Sequence, residues 1–306
     1  MTLLEKEWFI QAPWGRLSIV AWGDCYDPPV LVCPGSKDTV ISFRPLIEML
    51  PKNFYYIGFD LPGSGKSDHM PRGLMISMYD LLYSIQVVVK HFRWESFIYL
   101  AHSMGCTLGK LYDLSYPGKI SKAIDLDPLT LGVVVPVEEF PKWYEYTFIK
   151  YFNDYKKFNM PREETPTYDR EMIVSKLMKR RGISKELAGE IISRLSEPVG
   201  NGLIRYTFDE RVNFPMHSPF PPEQLLKLLN SLKTPTLTII TDGSINLGHF
   251  AKTPFLLNES SLSDNYRVKL VTGNHDVHIA EPEKVASFVG QFLLHGLEGL
   301  DNKAKL

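Results

Sequence analysis

Two spacings of apolar residues alternate along the chain. Short continuous or alternating apolar runs predict strands: a hairpin from Trp8 to Trp22 around Pro13-Trp14-Gly15, then Val30 to Cys33 stopped by Pro34-Gly35, Phe54 to Asp60, Ser96 to Ala101 and Ile120 to Asp127. Between them lie stretches in which apolar positions return every third or fourth residue, predicting helices over Ile41 to Leu50, Ser77 to Phe92 and Met104 to Tyr116. Regular strand–helix alternation argues for a mostly parallel, twisted sheet with helices on both faces, because each crossover must bring the chain back to run in the same direction.

The rhythm breaks between Pro128 and Thr234. That stretch carries helical patterns and no clear strand, and its start is rich in aromatics, including Phe140, Trp143, Tyr144, Tyr146, Phe148, Tyr151, Phe152, Tyr155 and Phe158. Alternation then resumes with strands over Pro235 to Ile240 and Tyr266 to Val271 and a closing helix from Glu281 to about His295, with Pro282 in its first turn. The expected organisation is therefore an α/β core of residues 1–127 and 235–306 interrupted by a helical insertion, residues 128–234. Its aromatics either line an apolar pocket or form the insertion's own core.

Composition narrows the choice of partner. The 306 residues are 44% hydrophobic and 23% charged, with a formal net charge of −1 and no basic run, so a nucleic acid is not indicated and a small, neutral or apolar molecule fits better. Three cysteines, Cys25, Cys33 and Cys106, make no paired framework and no metal-binding spacing, which reads as a reduced, intracellular chain. The first residues lack the apolar stretch of a secretion signal, and no run approaches the ~18 apolar residues of a membrane span. The last three, Ala304-Lys305-Leu306, are similar to a peroxisomal address, so cytoplasm and peroxisome are both expected locations.

The chemistry concentrates in "LAHSMGC", Leu100 to Cys106. Ser103 follows a predicted strand and opens a predicted helix, with small residues two positions away on either side, Ala101 and Gly105. This is the setting of a nucleophile elbow, a sharp strained turn that exposes a serine. A serine hydroxyl needs a base in reach, and the base needs an orienting group. His275 in "TGNHDVHIAEPE" follows the last strand directly and is the preferred base, with His278 the rival; no third His or Cys lies near them to make a metal site. The acid is Asp127, at the end of the strand after the nucleophile's helix, or alternatively Asp242, after the strand that follows the insertion. Asp125 points the same way as Asp127 but deeper. Backbone amides of Met104, just after the serine, and Ser36, in "CPGSKDT", would form the oxyanion hole. The tempting "LPGSGKSD" is not a phosphate loop, since the template's first glycine position is Asp60.

Together "APWGRLSIVAWG", "FDLPGSGKSD", "AHSMG" and "GNHDVHIAEPEKVASFVGQFL" resemble the α/β-hydrolase superfamily, and within it the serine hydrolase-like proteins of animals. The resemblance implies an α/β-hydrolase fold with 128–234 as a helical cap. It also implies serine hydrolase activity without a cofactor, and the spacing of an acid 24 residues after the nucleophile favours Asp127. Pro34-Gly35 stands where the superfamily usually has His-Gly, and Ala101 where it usually has Gly. The expected reaction is hydrolysis of a small, apolar carboxylic ester or thioester through an acyl-enzyme. The alternatives are a ligand-binding or signalling protein that keeps the fold, to which Pro34 and Ala101 point, and a cofactor-free oxygenase.

Overall fold

The computed structural model describes residues 3–128, 134–213, 216–217 and 219–301. The terminal Ala304-Lys305-Leu306 lies outside them. Eight strands form the main sheet: β1 (Glu5–Ala12), β2 (Gly15–Trp22), β3 (Pro29–Cys33), β4 (Tyr55–Phe59), β5 (Phe97–His102), β6 (Ile120–Leu126), β10 (Thr236–Thr241) and β11 (Tyr266–Val271). Their order is β1-β2-β4-β3-β5-β6-β10-β11, with the hairpin β1-β2 and the β2-β4 pair antiparallel and every other pair parallel. From β3 the chain moves one way to β4 and then crosses to β5 on the other side of β3. The order therefore reverses between β3 and β5, which is where open α/β sheets bind ligands beyond the strands' carboxyl ends.

Strands buried on both faces need apolar residues at both parities. In β3 Val30 and Val32 enter one cluster while Leu31 and Cys33 enter the other, and in β5 Ile98 and Leu100 oppose Phe97, Tyr99 and Ala101. Helix α2 (Met78–Phe92), begun by a Ser77–Asp80 capping box, and α3 (Met104–Ser115) cover one face through Leu81, Ile85, Val88, Leu108 and Tyr112. Helices α1 (Arg44–Met49) and α12 (Glu283–His295) cover the other through Leu46, Ile47, Val285, Val289 and Phe292.

The interrupting segment begins with the short helices α4 (Phe140–Tyr144), α5 (Lys150–Asn153) and α6 (Tyr155–Asn159). They are followed by α7 (Arg170–Arg181), α8 (Lys185–Leu195) and α9 (Pro222–Ser231). It is not purely helical. Strands β7 (Thr167–Asp169), β8 (Ser196–Gly200) and β9 (Leu203–Tyr206) form an antiparallel sheet in the order β7-β9-β8, which corrects the expectation of no strand there. The α7 and α8 side chains Ile173, Val174, Leu177, Ile191 and Leu195 belong to the same buried cluster as α1 and α12, so these helices pack onto the α/β core. The aromatic run divides. Tyr151 and Phe158 stack and are buried, while Phe140, Tyr144, Tyr146, Phe152 and Tyr155 are exposed. Beyond β10 and β11 come the short α10 (Asp242–Asn246) and α11 (Val277–Ala280), and α13 (Glu298–Asp301) follows α12. Among the described residues no helix is long and apolar enough to cross a membrane.

Candidate active site

Ser103 sits between β5 and α3 with φ 54° and ψ −120°. This region is nearly closed to residues with a Cβ, and holding a serine there takes about 1–3 kcal/mol from the surrounding structure. The turn is enforced by close packing. A Cβ on Gly105 would lie 2.6 Å from the Cys33 carbonyl oxygen and 2.8 Å from that of Pro34, so only glycine lets the first turn of α3 lie against the end of β3. The other small position, Ala101, is fully buried and paired in register with Cys33 and Asp125, and its methyl is accommodated there.

The loop after β3 passes beside the serine. A Cβ on Gly35 would come within 3.0 Å of the Ser103 Cβ, which puts Gly35 against the Ser103 side chain. The Ser36 hydroxyl donates to the Val212 carbonyl at 3.4 Å, tying this loop to the 128–234 segment. Met104 is the first residue of α3, where an amide has no partner four residues back.

Three side chains from distant parts of the chain meet here. The Ser103 Oγ lies 3.0 Å from His275 Nε2, and His275 Nδ1 lies 2.6 Å from Asp127 Oδ2. A carboxylate only accepts, so Nδ1 carries the proton and Nε2 offers its lone pair to the serine hydroxyl. Asp127 is fully buried and its φ is 45°. Its Oδ1 accepts from the Thr241 amide at 2.8 Å and the Thr241 hydroxyl at 3.2 Å, and its Oδ2 also accepts from the Ser244 hydroxyl. Such donors fix the direction of the carboxylate.

Asp242 is not brought to the imidazole. It is exposed at the start of α10, where its Oδ1 accepts the Gly273 amide at 2.9 Å, so it shapes the turn that leads to His275. His278, the other histidine weighed, is fully buried, with its ring against that of His102 at a centroid distance of 4.1 Å and a tilt of 38°. Asp125 pairs instead with Lys110 Nζ at 2.8 Å; burial pushes its carboxyl above the ordinary range, against the pull of the lysine. Asp60, which displaced the phosphate-loop reading, accepts the amides of Val40 and Lys66 and organises a turn.

The sequence reading passed over His102 and Asp38. His102 Nε2 donates to the His275 carbonyl at 2.9 Å, and its ring lies tilted against that of His275 at 4.4 Å. Burial, followed by the neighbouring His278 and His275, holds the His102 imidazole well below the usual histidine range, and burial lowers His278 to about 3. Both rings are therefore neutral at pH 7. The available signal was a histidine immediately before the serine and another three residues after His275, on segments expected to be buried.

Comparison with known proteins accords with this architecture. Residues 28–177 match the family model described as alpha/beta hydrolase fold. The human serine hydrolase-like protein 2 is 29% identical over 95% of this chain and 94% of its own length. The mouse serine hydrolase-like protein is 26% identical over 95% of this chain and 96% of its own. The chain has the α/β-hydrolase fold and is similar over most of its length to serine hydrolase-like proteins of animals. A hypothetical protein of Pseudomonas aeruginosa of known crystal structure, 22% identical, superposes with a TM-score of 0.78 over 94% of this chain and 98% of that one, which shows the shared fold. The family match and the names of these relatives support a hydrolase.

Proposed function

We propose that the protein is a serine hydrolase that cleaves a small, apolar carboxylic ester or thioester through an acyl-enzyme. The observation that carries this reading is one imidazole placed between a strained serine and a buried, fully hydrogen-bonded aspartate, at 3.0 and 2.6 Å. Ser103 attacks the acyl carbon while His275 Nε2 takes the hydroxyl proton. Asp127 holds the imidazole in the tautomer that can do so and stabilises the imidazolium that forms. The proton then passes to the departing alcohol or thiol. Water, deprotonated by the same imidazole, attacks the acyl-enzyme, releasing the acid and restoring Ser103. Negative charge developing on the carbonyl oxygen falls to the amides of Met104 and Ser36, and each such donor typically contributes about 10²–10³ in rate.

Residues 128–234 serve as a cap over this site. Support comes from Val212, which receives the Ser36 hydroxyl, and from α7, whose terminal Arg181 reaches Asp38 in the loop after β3. Beside Pro128, next to Asp127, a cavity of about 40 Å³ is lined mostly by apolar side chains, among them Leu225 and Leu229 of α9, and also by Lys110 and Asp125; it has room for little more than one water molecule and does not itself hold an acyl group.

The test is turnover of a panel of p-nitrophenyl esters and acyl thioesters of increasing chain length. Hydrolysis with a burst of one alcohol or thiol per protein molecule, abolished in Ser103→Ala, supports the reading. A well-folded wild type that turns over none of them and shows no burst contradicts it.

A further inference from the structure

Behind the loop that carries His275 lies a second set of buried polar side chains. Asp38, from the loop after β3, is 1% exposed, His102 3%, His278 0% and Arg181, the last residue of α7, 5%. A guanidinium buried this far destabilises a fold unless its charge is met. Arg181 meets that charge across the boundary between the inserted segment and the core. Its Nη1 donates to Asp38 Oδ1 at 3.0 Å, and its Nε lies 3.5 Å from Asp276 Oδ1. Its main-chain carbonyl accepts from Asn274 Nδ2 at 3.0 Å, and Asn274 Oδ1 accepts the Asp276 amide at 2.8 Å. The residues on either side of His275 are thus held by one residue of α7, while His102 holds the carbonyl of His275 itself.

A divalent cation is the competing occupant, since donor atoms of Asp38, His102 and His278 lie within 4.8 Å of one another. Two features disfavour it. Arg181 already neutralises the only carboxylate of the three, and the two imidazoles lie ring against ring, with centroids 4.1 Å apart and planes tilted by 38°.

We propose that Arg181 is a positioning residue for His275: it ties the inserted segment to the Asn274–Asp276 loop, so that the base is aligned only while that segment is seated. The proposal rests on the reading of Ser103, His275 and Asp127 as a catalytic line. It makes α7 more than a roof, because any displacement of α7 that admits a substrate withdraws the anchors of residues 274 and 276 together. A site of this kind is assembled by closure, and an error of ~1 Å in the placement of a base lowers rates by orders of magnitude.

The experiment uses the full chain with Arg181→Met, Arg181→Lys and Asn274→Ala. It reads three quantities: the labelling rate of Ser103 by a fluorophosphonate, amide hydrogen exchange over residues 274–280, and Tm. The expected result is that Arg181→Met and Asn274→Ala label at least about tenfold more slowly and exchange faster over 274–280, while Arg181→Lys, which keeps a cation on Asp38, recovers most of the labelling rate. Wild-type labelling and exchange in folded Arg181→Met overturns the proposal, as does a fall in Tm alone. Should Arg181→Met not fold, Asn274→Ala decides, since that side chain is exposed. If the wild type itself fails to label, the proposed function falls, and exchange over 274–280 alone decides the role of Arg181. A cobalt spectrum that appears on adding Co²⁺ to the wild type and is lost in His278→Ala would assign the cluster to a metal and overturn the proposal.

Discussion

His275 Nδ1 lies 2.6 Å from Asp127 Oδ2, while Asp242, at the end of the neighbouring strand β10, turns away to hold the Gly273 amide. Two carboxylates with the same kind of placement on the sheet therefore have different tasks. Asp127→Asn removes the acceptor that fixes the imidazole tautomer, and kcat is expected to fall by roughly 10⁴-fold with little change in KM. Asp242→Asn keeps an amide oxygen that can accept from the Gly273 amide, so its activity should stay within about tenfold of wild type. Steady-state kinetics of the two variants checks the assignment, and a larger loss in Asp242→Asn would reverse it.

The elbow stores strain that the fold must balance. Ser103→Gly relieves a φ of 54° with ψ −120°, so it should be more stable than wild type by about 1 kcal/mol while losing all burst activity. Ser103→Ala keeps the strain and should unfold with the wild-type midpoint. Denaturant titrations of the three proteins measure this difference.

Gly105 gives the opposite expectation. A methyl there meets two carbonyl oxygens of the β3 end at 2.6 and 2.8 Å, and backbone cannot swing aside as a flexible side chain can. Gly105→Ala should destabilise by about 1–3 kcal/mol and also slow acylation, since relief requires the start of α3 to move away from Ser36. Thermal melts together with burst amplitudes report both effects.

Much of this was legible in the chain. Apolar spacings located all eight strands of the main sheet and the helices α2, α3 and α12; central strands such as β3 and β5 are buried on both faces and need continuous apolar runs, while the edge strand β1 is mostly exposed. Ser103 and His275 were singled out together because each follows a strand, and the structure brings Ser103 Oγ within 3.0 Å of His275 Nε2. The acid was left open between Asp127 and Asp242 because both end strands, and only the direction of each side chain separates them. The small sheet escaped notice because β7 spans three residues and β8 contains Pro198 and Gly200, which erase alternation. The link from Arg181 to Asp38 joins residues 143 positions apart, and no local pattern encodes such a pair.

Two buried neutral imidazoles make stability depend on acid. The folded-state pKa values of His102 and His278 are depressed, to about 3 for His278, whereas an unfolded chain takes up these protons near 6.5. Below pH 6.5 the unfolded state binds protons that the folded state refuses. Stability is therefore full at pH 7 and above and declines as pH falls from about 6.5 toward 3, by up to about 1.4 kcal/mol per pH unit for each ring. His278→Asn should make the decline shallower by about half. Guanidinium melts at pH 7.5, 5.5 and 4.5 measure the slope, and an unchanged slope in the variant would show that His278 does not contribute.

The central claim is that Ser103 is a nucleophile activated by His275. Intact-mass spectrometry after incubation with a fluorophosphonate, followed by peptide mapping, tests it most directly. One adduct per chain is expected, located on Ser103, absent from Ser103→Ala and formed far more slowly in His275→Ala. A folded wild type that carries no adduct, or carries it on another residue, would contradict it.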